Sequence, residues 1–185
     1  YMGGGQDRDQ AAVAHDIVES KREALHEATD RGAVMLAVCG GYQLLGHRYA
    51  LGDEEIPGVG LVDLETVRSD GPRLIGNVAI EVDLDGDGPR VLAGFENHAG
   101  RTHLAAGAVP LGRVLRGHGN TGASGAEGVR RDGVIGTYLH GPLLPKNAWF
   151  ADWLIRRATG AGGLAPLDDR LEDAAHAEAR RAAGA

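Results

Sequence analysis

Aromatic side chains are scarce in this chain, at 4% of 185 residues, and there is one cysteine. Basic residues are outnumbered, 19 against 26 acidic ones, which leaves a net charge of −7. Each scarcity excludes something. A single cysteine rules out an internal disulfide framework and a cysteine-rich zinc module. An acidic balance argues against nucleic acid, whose phosphates are neutralised by clustered Lys and Arg. No apolar run approaches the roughly 18 residues of a membrane-spanning helix, and no leader pattern opens the sequence. With so few rings the core must be built from Val, Leu, Ile and Ala. The expectation is a soluble, cytoplasmic domain of ordinary size.

Glycine is what the chain has in quantity, 30 residues, and its placement carries the organisation. Gly3-Gly4-Gly5 reads as a loop feeding a helix, a loop of the kind that follows a buried strand. From Asp7 to Arg31, Val13, Ile17, Val18, Leu25 and Ala28 recur at roughly helical spacing until Gly32 stops them. Ala33–Val38 is wholly apolar, as a parallel strand buried on both faces is. Cys39-Gly40-Gly41 follows at once, and a short helix is expected from Tyr42 to about Gly46. The middle of the chain offers short strands at 60–65, 74–83, 91–94 and 113–116 between Gly, Pro and Asp clusters. Residues 119–128 read as a polar loop outside the core. Gly133–Leu139 is another apolar strand, ending in His140-Gly141-Pro142. Helices are expected over about 146–158 and 168–183. Without a repeat or linker, residues 1–185 read as one α/β domain with an inserted antiparallel section.

Cys39 sits where a buried strand gives way to a helix. Such an elbow lifts a side chain out of the sheet toward a substrate. A helix N-terminus favours a thiolate, and the Gly40 amide points toward an oxyanion forming on a carbonyl attacked by Cys39. A lone cysteine is otherwise often a small buried hydrophobe. A thiol nucleophile needs a base, and there are eight histidines. His15, His26 and His176 lie on polar helices, where a solvated histidine is the ordinary case. His47, His103 and His118 have no distinguishing context. His98, in Phe95-Glu96-Asn97-His98, is either structural or near a site. His140 ends an apolar strand, and parallel strands share a C-terminal edge where ligands bind. Cys39 and His140 are therefore the candidate nucleophile and proton shuttle of an acyl transfer.

These residues carry a resemblance. Ala37-Val38-Cys39-Gly40-Gly41-Tyr42-Gln43-Leu44-Leu45-Gly46 resembles the nucleophile elbow of class I glutamine amidotransferases. Gly136-Thr137-Tyr138-Leu139-His140-Gly141-Pro142 resembles the histidine segment of their cobyric acid synthase-like branch. Within it, three segments look like the GatD family of glutaminase subunits: Gly3-Gly4-Gly5-Gln6-Asp7-Arg8-Asp9-Gln10, Gly94-Phe95-Glu96-Asn97-His98-Ala99-Gly100-Arg101-Thr102, and His140 to Asn147. The likeness runs to about Ala158.

The resemblance implies a flavodoxin-like three-layer sandwich whose first strands precede Tyr1. It implies that Cys39 attacks the side-chain amide of L-glutamine and that Gly40 and Gly5 hold the oxyanion. His140 protonates departing ammonia, and water hydrolyses the glutamyl thioester. It also implies that Arg73, Gln43 and Gly4 bind substrate; a guanidinium suits a carboxylate as a planar two-point donor. On position alone, Arg73 is an ordinary surface residue and Gln43 an exposed residue of a first helical turn. No cofactor is implied in this subunit. ATP and magnesium belong to the expected partner, a MurT-like Mur ligase that amidates the D-glutamate α-carboxyl of lipid II, so the chain would work as a heterodimer near the inner membrane face. An amidotransferase component of cobyric acid or cobyrinic acid diamide synthesis, and a non-catalytic docking subunit, are the other readings. One departure is local: Pro142 stands where ordinary class I enzymes carry the acid of a His-x-Glu pair. Glu96 or an aspartate from the partner is the expected substitute.

Overall fold

A computed structural model of the chain describes residues 1–5, 7–86 and 88–185; Gln6 of the first motif lies outside them. The expected long helix is continuous but not uniform. α1 (Asp7–His15) passes through a π-helical stretch (Asp16–Lys21) into α2 (Arg22–Asp30). Gln10, Ala14 and Ile17 are its buried residues among those described. Gly32, at φ +90°, closes the helix. Its N–H bonds to the Thr29 carbonyl and the Ala33 N–H to Ala28, a paired closure that needs a left-handed residue at that point.

The central sheet explains the apolar runs. β1 (Met35–Val38) lies parallel to β11 (Val134–Thr137), from Met35 opposite Val134 to Val38 opposite Thr137. β10 (Val129–Arg131) pairs antiparallel on the far side of β11, and Met2 pairs parallel with Ala37 on the free side of β1. All residues of β1 and β11 are buried, because each face of this sheet is covered. Met35, Ala37, Val134 and Tyr138 pack with Ala14, Ile17, Tyr42 and Leu44 in one core. Leu36, Val38, Ile135 and Leu139 pack with Val78, Ile80, Leu92 and Phe150 in the other. Each fully buried aliphatic side chain contributes about 1.5–3 kcal/mol.

The section expected to be antiparallel is two sheets, and the first is mixed, because its second and third strands pair in parallel, Arg48 opposite Glu65. One orders β3 (Glu54–Pro57), β2 (Arg48–Leu51), β4 (Leu64–Arg68) and β7 (Gly100–Leu104). The other orders β6 (Arg90–His98), β5 (Leu74–Val82), β8 (Gly112–Arg116) and β9 (Ala126–Glu127). The expected 91–94 strand is thus much longer, and β2, β3 and β7 arise where no strand was expected. The 60–65 expectation shifts to β4. The 119–128 loop is corrected more sharply: Asn120 and Glu127 are buried. Asn120 accepts from Gly128 N–H, donates to Gly128 O and accepts from Tyr42 OH, so its polar side chain is satisfied inside the core. Beyond the sheets, α4 (Ala148–Thr159) buries Phe150, Trp153 and Leu154. α5 (Arg170–Ala183) lies along β5, where Asn77 donates to Ala182 O at 3.2 Å. No helix among the described residues is long and apolar enough to cross a membrane.

Candidate active site

Among the described residues Cys39 is one of two non-glycine residues at positive φ, at φ 53° and ψ −108°. This region costs about 1–3 kcal/mol for an L-residue, and such strain is kept where surrounding structure enforces it. Two bonds enforce it here. The Cys39 N–H donates to Thr137 O at 2.9 Å, tying the elbow to β11, and its carbonyl accepts the Gln43 N–H at 3.0 Å, opening α3 (Gly40–Gln43). Gly41 is required because a Cβ there would overlap the Met2 backbone. With only four residues, α3 supplies a single turn of dipole, so the elbow's geometry carries more of the site than the sequence argument assumed.

The Gly3–Gly5 loop leaves Met2 at the same edge. Gly41 N–H donates to Gly3 O at 3.2 Å. A Cβ on Gly4 would lie 3.1 Å from Cys39 Cβ and 3.8 Å from its Sγ, so Gly4 forms a wall of the thiol's surroundings. The Gly5 amide nitrogen lies 3.1 Å from the position of a Cβ on Gly40. Gly40 is the first residue of its helix, so its N–H has no acceptor within that helix. The two expected oxyanion donors therefore flank the elbow together. Gly4 falls beside the thiol, as a neighbour of the attacking atom.

His140 reaches this edge from β11, three residues beyond Thr137. Its backbone exchanges both hydrogen bonds with Phe95 of β6, at 2.9 and 3.1 Å, which fixes the segment between two sheets. The ring is half-buried and edge-on to Phe95. Burial lowers the affinity of His140 for a proton, His98 and Lys146 lower it further, and Glu96 opposes them. A neutral imidazole at neutral pH is the form that accepts a proton from a thiol. His140 and Val38 also line a mostly apolar cavity of about 240 Å³ with Tyr1, Leu36 and Leu143.

The remaining expected residues divide. Arg73 is exposed and held by Asn97, its Nε on Asn97 Oδ1 at 2.7 Å and Nη2 on Asn97 O at 2.9 Å. It stands at the end of β6 that carries the Phe95–His140 pairing. Gln43 is only 3% exposed, which overturns its reading as an exposed first-turn residue. Its Oε1 accepts from Gln10 and its Nε2 donates to Tyr138 OH, so the contacts it makes are with protein. Glu96 is fully buried, and its carboxylate accepts the His118 and Gly119 amides at 2.6 and 3.0 Å; those backbone groups, not a histidine ring, are its hydrogen-bond partners. His176 is corrected from a solvated residue: it bonds Lys146 O and Asn147 Oδ1.

What the sequence reading missed is a buried polar layer beneath β11. Glu127 accepts from Thr137 Oγ1 at 3.0 Å and from Tyr138 N–H at 2.6 Å, and burial pushes its carboxyl up to about 8. Tyr138 OH reaches Thr102 Oγ1 at 2.7 Å, and its ring stacks on His98 with centroids 3.5 Å apart. Burial raises the Tyr138 phenol far above its ordinary value, so it stays protonated. The only available signal was polar residues inside an apolar strand, Thr137 and Tyr138. Among the described residues no group of three or more His, Cys, Asp or Glu is placed to hold a metal ion.

Known proteins resemble this chain over most of its length. Residues 1–148 match the model of the CobB/CobQ-like glutamine amidotransferase domain. A protein of Staphylococcus aureus (strain N315) named lipid II isoglutaminyl synthase (glutamine-hydrolyzing) subunit GatD is 38% identical over 182 residues, 98% of this chain and 72% of its own. The Streptococcus pneumoniae protein of that name is also 38% identical, over 85% of this chain and 60% of its own. The cobyric acid synthase of Methylorubrum populi matches less closely, at 36% identity over 80% of this chain and only 30% of its own length. A solved structure titled as a glutamine amidotransferase superposes with a TM-score of 0.60 at 18% identity, covering 85% of this chain and 77% of the other, which shows the shared fold. The α/β layering expected from the sequence is thus the observed one.

Proposed function

The chain belongs to the CobB/CobQ-like glutamine amidotransferase family, and from that premise we propose that it is the glutaminase subunit of a lipid II isoglutaminyl synthase. The observation that carries this reading is the strained Cys39 elbow, with Gly4 against its sulfur and the Gly5 and Gly40 amides beside it. The near-full-length likeness to GatD names the acceptor.

His140 takes the Cys39 proton, and the thiolate attacks the side-chain amide carbon of glutamine. The carbonyl becomes an oxyanion held by the Gly40 and Gly5 N–H groups, in surroundings where such donors are worth about 2.7–4 kcal/mol each. His140 returns the proton to the amide nitrogen, ammonia departs, and a glutamyl thioester remains. Water, deprotonated by His140, hydrolyses it to glutamate and frees the thiol. Arg73, exposed beside β6, holds the substrate α-carboxylate. Gln43 and Gly4 shape the site, Gln43 from below by fixing Tyr138.

Ammonia then passes to a MurT-like Mur ligase, which holds ATP and magnesium and amidates the D-glutamate α-carboxyl of lipid II. The heterodimer works at the cytoplasmic face of the membrane, and the acid absent after His140 comes from the ligase. The cobyric acid alternative has less support, because those proteins are matched over a small part of their length. A purely docking role would leave the elbow strain without a purpose. The test is co-expression with a MurT-like ligase and lipid II amidation by mass spectrometry, using glutamine heavy in its amide nitrogen. Heavy nitrogen in the stem peptide is expected. Amidation that proceeds equally with Cys39→Ala and glutamine as sole nitrogen source would overturn the assignment.

A further inference from the structure

His98 is buried to 1% exposure, and the reaction as derived does not use it. Its Nδ1 lies 2.8 Å from Gly100 O, and a carbonyl only accepts, so Nδ1 carries a proton. Its Nε2 has no hydrogen-bond partner and faces Glu96 Oε2 at 3.6 Å. A lone pair turned toward a buried carboxylate is repulsive and unsatisfied. One proton placed on either atom removes both defects. The Tyr138 ring stacked flat on His98 is a favourable neighbour for a proton on the imidazole, and Glu96 accepts from the His118 and Gly119 amides.

We propose that His98 and Glu96 hold one proton between them and so fix the charge that His140 faces, which makes His98 a positioning residue for the glutaminase chemistry. The proposal rests on the glutaminase reading only for its consequence, not for the pair itself. The geometry that couples them is β6: Glu96 follows Phe95, whose backbone is bonded to His140 on both sides. His140 feels His98 and Glu96 from β6 and Lys146 from the segment before α4. Glu96 in turn acts on Glu127, beneath Tyr138. With the proton in place the pair is neutral overall, and His140 remains a neutral base. Loss of His98 alone leaves Glu96 uncompensated and makes His140 easier to protonate. Loss of Glu96 alone leaves His98 buried without a counter-charge, so it gives up the shared proton and the field at His140 stays neutral.

The test is an NMR titration of the His140 ring, assigned by the His140→Gln variant, in the unaltered chain, His98→Gln and Glu96→Gln. His98→Gln is expected to move the His140 midpoint up by about half a pH unit or more, and Glu96→Gln to leave it near that of the unaltered chain. The variant with both changes should match Glu96→Gln. A purely structural role would not raise the midpoint in His98→Gln and restore it in the double variant, and a His98→Gln midpoint no higher than that of the unaltered chain overturns the proposal. Should a single variant fail to fold, the His98 nitrogen shifts of the unaltered chain decide. A hydrogen-bonded Nε2 that does not titrate across the neutral range supports the pair; an Nε2 titrating like that of a free histidine contradicts it. Absence of glutamine hydrolysis by the unaltered chain with its ligase would count against the glutaminase reading and leave the titration result standing.

Discussion

At the scale of single residues, three side chains can be tested directly: Cys39, Arg73 and Glu127. Cys39→Ala is expected to reduce ammonia release from glutamine to background while leaving the circular dichroism spectrum and urea midpoint unchanged, since a methyl group fits where the thiol stands. Arg73 keeps part of its guanidinium on Asn97, so Arg73→Lys and Arg73→Ala should both raise the KM for glutamine. The Ala variant should do so by about tenfold, near 1.4 kcal/mol, with kcat changed less. A KM equal to that of the unaltered chain would remove its binding role. Glu127 gives a stability signature. Its folded carboxyl titrates near 8 against an ordinary value of 4.5, so the folded chain holds the extra proton across that window. Its contribution is complete below about pH 4.5, falls as pH rises, and levels off above about 8. Glu127→Gln, which keeps the shape and both hydrogen-bonding ends, should flatten the pH dependence of urea unfolding between those limits. An unchanged slope would show that the carboxyl is already ionised in the folded chain.

At the scale of elements, β1 and β11 do the positioning, and both were legible because strands buried on two faces read as unbroken apolar runs. Cys39 and His140 could be read from those strand ends. The same logic shows what could not be read. β2, β3 and β7 mix Arg48, Glu54, Glu55, Arg101 and His103 with apolar residues, and such short, charged strands look like loops in a sequence window. Asn120, Glu127 and Gln43 looked solvated because polarity was the only local signal, while their burial depends on partners such as Tyr42, Thr137 and Tyr138, whose distance in sequence hides them. The closeness of β11 to the elbow helix is itself testable. A Cβ at Gly136 would overlap the Tyr42 ring. Gly136→Ala should therefore destabilise the chain by about 1–3 kcal/mol, read as a lower urea midpoint with an unchanged m-value. A variant as stable as the parent would mean that Tyr42 moves aside freely.

At the scale of the whole molecule, the three layers bring the glycine loop, the elbow and the histidine segment to one edge of the central sheet, while α5 braces the far side of the same construction. His176 of α5 bonds the Lys146 carbonyl and Asn147, so the helix steadies the segment that leads away from His140. The net charge of −7 repels an anionic lipid, which fits a division of labour in which this chain handles glutamine and the ligase handles lipid II. The chain by itself should then stay unbound in flotation with vesicles of anionic phospholipid, and co-float only when the proposed ligase is present. The central claim, that Cys39 attacks glutamine from its strained elbow, is tested most directly by a glutamine-mimicking diazo-ketone and mass spectrometry of the chain with its ligase. The account predicts one adduct, on Cys39, suppressed by excess L-glutamine and absent from Cys39→Ala. An unlabelled Cys39, or labelling that glutamine does not protect, would contradict it.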